Sequence, residues 1–144
     1  MLSKDDIQEI ADQVVKELGS DYEEKIYQEA FLVELRSRSW DYDRERVLPV
    51  FYKKQNVGFC KADIVVRKDS EEVVLELKVG GEDCIKQKIK NELRAYLRAV
   101  SDVQDGTTYK GFVVMFPCTP DKKVSKTKIE PPNSATVDEV VLEK

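Results

Sequence analysis

The sequence predicts an α/β domain. Three observations carry that prediction: two amphipathic helical segments open the chain, three strand-like segments rich in Val, Leu and Ile follow, and a further helix leads into an apolar strand. With 144 residues, 41% of them hydrophobic, the chain has the size and composition of one globular domain. A chain of this length buries roughly 70% of its unfolded surface, so packing alone can hold it together.

Ser3 reads as the N-cap of a first helix, in which Ile7, Ile10, Ala11, Val14, Val15 and Leu18 recur at helical spacing before Gly19 stops it. A second helix is expected over residues 21–38, capped by Asp21, because Tyr22, Ile26, Tyr27, Ala30, Phe31, Val33 and Leu35 make a broad apolar face. Residues 44–53 carry an internal Pro49, which suits an edge strand. After a turn at 55–58, strands are expected at 59–67 and 71–79, the second closed by Gly80 and Gly81. A third helix at 83–100 leads through Asp105 and Gly106 to a strand at 109–116. Residues 1–116 form the expected domain; residues 117–144, rich in Lys and Pro, are expected to be an extension that gains a short strand at 137–142.

The chain contains no histidine, which excludes Ser-His and Cys-His catalysis and leaves carboxylates, Lys, Tyr or a metal to carry any chemistry. Cys60, Cys84 and Cys118 are odd in number and widely spaced, so buried thiols are expected rather than disulfides or a zinc site. No apolar run approaches the ~20 residues needed to span a bilayer, and the polar, acidic start is unlike a secretory signal, so an intracellular, cytoplasmic protein with no membrane partner is expected. A net charge of −4 gives no general attraction for nucleic acid; a local basic patch must supply it.

Side-chain parity sets the register of the middle hairpin. With the turn at Asp69 and Ser70, Cys60, Ala62, Ile64 and Val66 oppose Val79, Leu77, Leu75 and Val73 on one apolar face. The other face pairs Arg67 with Glu72, Val65 with Val74, Asp63 with Glu76, and Lys61 with Lys78. Two facing carboxylates destabilise a hairpin unless something positive sits between them, and a divalent cation answers that need. Lys78, beside Glu76, would then orient a water and stabilise charge on a phosphate. A solvated ladder of charges, with diagonal relief from the lysines, accounts for the same pattern without a metal.

Further residues give the pattern a family likeness. The segments LGSDYEEKIYQEAFLVEL, LPVFYKKQNVGFCKADIVV, VVLELKV and ELRAYLRA, spread over most of residues 5–116, resemble the GxxExxY family of the PD-(D/E)xK nuclease-like superfamily. The resemblance implies a restriction-endonuclease-like core, a mixed β-sheet flanked by helices. It implies that Asp63 and Glu76 hold Mg²⁺, or Mn²⁺ in its place, with the Leu77 carbonyl as a further ligand, that Lys78 assists the attacking water, and that Glu24 supplements the site. Glu24 shares a helical column with Tyr27, Phe31 and Leu35, so it should point inward to the hairpin. Tyr27, Glu92 and Tyr96 are supporting candidates; Tyr27 also suits core packing, and Glu92 a helix-surface salt bridge. Two positions depart from the family: Asp21 replaces the motif glycine, and Glu92 stands where glutamine is frequent.

Lys86, Lys90, Arg94 and Arg98 repeat every four residues along the third helix, a row that can track a phosphate backbone or simply face solvent. The lysines at 122, 123, 126 and 128 could add a basic arm. The expected function is Mg²⁺-dependent hydrolysis of phosphodiester bonds, in DNA before RNA; the alternative is a catalytically silent protein of the same fold that binds nucleic acid or a protein partner. A homodimer is compatible with either.

Overall fold

The computed structural model describes residues 2–69, 71–80, 83–103, 108–118 and 135–140, and the side chains of all of these but 83–86, 100–103 and 108–109. The side chains of Cys84 and Lys86, the turn at Asp105 and Gly106, and the lysines at 122, 123, 126 and 128 lie outside the described residues.

Helix α1 spans Lys4–Leu18, as its spacing predicts. Ser3 caps it through a capping box: the Asp6 N–H donates to Ser3 Oγ at 3.3 Å and the Ser3 N–H to Asp6 Oδ2 at 2.9 Å. These bonds, with that of the Ser3 backbone foremost, hold the Asp6 carboxyl below its usual range. Helix α2, Glu24–Ser37, begins three residues later than the sequence suggests. Asp21 is not its cap; φ of +72° there turns the chain, and Glu23 takes the N-cap position without a side-chain bond.

Strands β1 (Asp41–Tyr52), β2 (Gln55–Lys68), β3 (Glu71–Val79), β4 (Thr108–Phe116) and β5 (Thr136–Val140) form one mixed sheet in that order, with α3 (Asp83–Val103) connecting the parallel pair β3 and β4. Pro49 sits in the edge strand β1, where its missing N–H is tolerated. The hairpin between β1 and β2 turns at Lys53 and Lys54, both at positive φ, rather than at 55–58. β5 pairs antiparallel with β4 and buries Val137 and Val140, so the segment beyond Pro117 completes the sheet.

Two cores result. Helices α1 and α2 cover one face, packing Ile7, Ile10, Tyr27, Phe31 and Leu35 on Ile64, Val66, Val73, Leu75 and Leu77. Helix α3 covers the other with Ile89, Leu93, Tyr96 and Leu97 on Ala62, Val65, Val74 and Val113. Gly111 permits this second contact, since a Cβ there would meet Leu93 and Leu97 side-chain atoms at 3.0 Å. The thiols differ from the expectation of burial: Cys60 is half-buried and Cys118 exposed. Among the described residues no helix is long and apolar enough to cross a membrane.

The predicted apolar face is half right. Ile64 and Val66 lie on the α1/α2 side, but Ala62 and Cys60 pack on the α3 side. Alternation breaks at Asp63. It breaks at the same level in β1, where Tyr42 packs against the first core, Leu48 against the second, and Glu45 between them holds φ +49°. The β1–β2 register itself is continuous across this level, from Arg44 opposite Ile64 to Arg46 opposite Ala62. The two strands therefore turn over together as a ribbon.

Candidate metal centre in the sheet fork

Where the ribbon turns over, it leaves β3. The β2–β3 ladder runs from Lys68 opposite Glu71 to Ile64 opposite Leu75. Beyond that point side chains replace backbone pairing: the Leu77 N–H donates to Asp63 Oδ2 at 3.1 Å, and the Asp63 N–H donates to Glu76 Oε1 at 3.2 Å. The facing acids expected from parity do meet, but inside a fork between diverging strands. Each carboxylate satisfies an N–H that a continued ladder would have paired.

Glu76 is only 7% exposed. Burial, then the neighbouring Asp63 charge, pushes its carboxyl up to about 8. Lys78 Nζ lies 3.2 Å from Glu24 Oε1, an ion pair between partly exposed side chains. That oxygen is itself buried and, among the described residues, has no well-directed hydrogen-bond donor. Burial draws the Lys78 ammonium down, but Glu24 first, then Asp63 and Glu76, outweigh it and leave its pKa above the usual value. Lys78 is thus held as a cation and a hydrogen-bond donor.

Tyr27 secures the helix that presents Glu24. Fully buried, it stacks on Phe116 with ring centroids 4.3 Å apart, and its hydroxyl donates to the Gly19 carbonyl at 2.7 Å. The turn before α2 is thereby tied to the core.

The fork opens into a cleft of about 690 Å³ lined by Glu24, Lys25, Gln28, Glu29 and Leu32 of α2, Arg44, Glu45, Lys61, Asp63 and Ile64 of the ribbon, Glu76 and Lys78 of β3, and Glu92 of α3. Six carboxylates face four cations there, a surplus that favours a bound cation. Among the described residues, no three Asp, Glu or Cys side chains converge closely enough to cage a metal alone. Mg²⁺ does not need such a cage, since it keeps several waters and takes one or two carboxylates. Asp63 and Glu76, with the Leu77 carbonyl on the same strand, are a donor set of that kind.

The other sequence candidates are dispersed. Tyr96 is buried in the second core; burial raises its pKa, and among the described residues its hydroxyl has no hydrogen-bond partner. It does not line the cleft, whereas Glu92 does. In the basic row, Lys90 stands 3.8 Å from Asp138 of β5, Arg94 donates to Asn91 at 3.0 Å, and Arg98 is exposed. Lys25 and Arg44 were not anticipated at the cleft. Lys61, which side-chain parity sets on the same face as Asp63, does line it.

A family model described as the PD-(D/E)XK nuclease superfamily matches residues 2–127. Among solved structures, the crystal structure of SSO0001 is similar with a TM-score of 0.54 and 16% identity, covering 82% of this chain. This chain spans 50% of that one, and the likeness is one of fold. No curated protein matches the sequence.

Proposed function

This chain belongs to the PD-(D/E)XK nuclease superfamily and has its restriction-endonuclease-like α/β fold, and from that premise we propose that it hydrolyses phosphodiester bonds of nucleic acid, DNA in preference to RNA, with Mg²⁺ or Mn²⁺. One observation carries the proposal: the Asp63 and Glu76 carboxylates are drawn together in the fork, with Lys78 held protonated beside them. Asp63 and Glu76 would hold the ion, with the Leu77 carbonyl as a further ligand. When bound, Mg²⁺ supplies positive charge for a phosphate under attack and acidifies the attacking water. Lys78 orients that water and donates to the phosphate oxygens. Glu24 holds the ammonium in place and adds a carboxylate at the cleft's edge. Glu92, at the same cleft, tunes the local charge.

A second reading, a catalytically silent fold that binds nucleic acid or a protein, is favoured by the lack of a third converging carboxylate among the described residues. A cleavage panel of linear, circular, single-stranded and RNA substrates with Mg²⁺ and Mn²⁺, run beside Lys78→Ala, separates the two. Hydrolysis that falls by about a hundredfold or more in the variant is expected, the loss typical of removing one such donor. Equal rates in both proteins would overturn the chemistry. Calorimetric titration with Mg²⁺ should show binding to the wild type that Asp63→Ala abolishes.

A further inference from the structure

We infer that the β1–β2 ribbon beyond the fork is the arm that grips substrate, and that it takes nucleic acid through unpaired bases; this deepens the nuclease proposal and rests on it.

From Arg46 to Ala62 the ribbon carries Arg46, Lys53, Lys54 and Lys61 and no Asp or Glu, within a chain of net charge −4. Arg46 is committed to Glu72 at 2.9 Å. Lys61 lies 3.6 Å from Glu45, but both side chains are at least half exposed, and such a pair gives way readily to a stronger partner. Lys53 and Lys54 form the turn, with the Lys53 ammonium 5.5 Å from the centre of the Tyr52 ring. Three lysines can therefore meet phosphates.

Between them stand rings that are largely open to solvent. Phe59 is 71% exposed and Tyr52 63%, with Phe51 and Val57 more than half exposed as well. Soluble domains rarely present so many large apolar side chains on one short ribbon without a use. Because Cys60 and Ala62 face α3, alternation turns Phe59 and Lys61 to the opposite side, and Lys61 lines the cleft. The ladder places Pro49 across from Phe59 and Val47 across from Lys61, so Val47, Phe59 and Lys61 share one side of the ribbon, and the register shift between Val50 and Phe51 separates them from the turn.

A second copy of the chain fits this face poorly. Pairing ribbon to ribbon about a two-fold axis would set lysines against lysines with no acid between them. A nucleic acid strand supplies both missing complements, phosphates for the lysines and flat apolar surfaces for the rings. Base faces are accessible only where they are unpaired, so the arm selects single strands or frayed ends over closed duplex.

The test is fluorescence anisotropy of a labelled thymidine oligonucleotide, and of the same strand in a blunt duplex, with EDTA present so that hydrolysis does not intervene. The wild type should favour the single strand by about tenfold or more, and Phe59→Ala should weaken it by about fivefold to a hundredfold, the span of one base–aromatic stack. Phe59→Tyr should keep the affinity, and the Lys53→Gln, Lys54→Gln double variant should weaken binding and flatten its salt dependence. Phe59 is so exposed that the fold should survive its removal, which far-ultraviolet circular dichroism verifies. Equal affinity for duplex, or unchanged binding by Phe59→Ala, would overturn the inference. So would a wild-type dimer on gel filtration that Phe59→Ala dissolves. Failure of the hydrolysis proposal looks different: binding would follow the expected pattern while no substrate is cut on adding Mg²⁺.

Discussion

Glu72 and Glu76 stand four residues apart on β3, 8% and 7% exposed, and meet opposite circumstances. Glu72 lies on the closed part of the sheet, where Arg46 reaches it at 2.9 Å across the ribbon. Burial lowers the Arg46 pKa, but the Glu72 charge outweighs it and raises it overall. Glu76 lies in the fork, where its nearest charged neighbour is another acid and Lys78 is engaged by Glu24. One strand thus holds a finished ion pair and an acid left short of positive charge. A buried carboxylate that serves architecture brings its own cation; one left short of cation is where an external ion gains most.

The sharpest way to break this comparison is to strip Glu72 of its partner. Arg46→Met should destabilise the protein by about 3–5 kcal/mol, the usual cost of leaving a buried charge alone. Denaturant unfolding measures it. Adding Glu72→Leu should restore most of that loss, because removing both charges of a buried pair is often neutral. A double variant no more stable than Arg46→Met alone would mean that the pair is not the source of the effect.

The fork should respond in the opposite sense. Unfolded, Glu76 loses its proton near its ordinary value of 4.5; folded, it holds the proton until about pH 8. Between those values the native state binds more protons than the unfolded state, so stability falls as pH rises, by at most about 1.4 kcal/mol per pH unit. Glu76→Gln should flatten that slope and leave the metal-free protein more stable than wild type at pH 8. Mg²⁺ should raise the wild-type Tm, more at pH 8 than at pH 6, and leave the Glu76→Gln Tm unmoved. Thermal scans across pH, with and without Mg²⁺, read both effects; parallel slopes in the two proteins would remove Glu76 as their cause.

How far the sequence disclosed these features depends on whether local periodicity continued. α1 was legible to the residue, because Ser3, the apolar spacing and Gly19 all agree. The hairpin register was legible from Lys68 to Ile64, where alternation holds, and Glu24 was legible as an inward-facing residue because helical spacing places it over Lys78. Past Ile64 parity misleads: the strand turns over at Asp63, opposite a left-handed Glu45 that no glycine or asparagine announces. The ribbon's turn was hidden in the same way, since Lys53 and Lys54 hold positive φ while the more suggestive Asn56 and Gly58 lie inside β2. The Arg46–Glu72 pair joins residues 26 apart in sequence and leaves no local signature.

The mildest adjustment concerns how α2 brings Glu24 to the fork. Asp21 holds φ +72° three residues before Glu24, and its N–H donates to the Pro117 carbonyl at 3.2 Å. Glycine adopts that conformation without a Cβ clash, although Asp tolerates it better than most residues. Asp21→Gly should therefore gain no more than about 1 kcal/mol, reduced by the greater freedom that glycine has in the unfolded chain. Because the carboxylates of the fork are held by Leu77 and Asp63 N–H groups rather than by α2, the same variant should keep the Mg²⁺-dependent rise in Tm. A lost rise would mean that the left-handed turn, through Glu24 and Lys78, sets the charge balance at Glu76 and not merely the start of a helix.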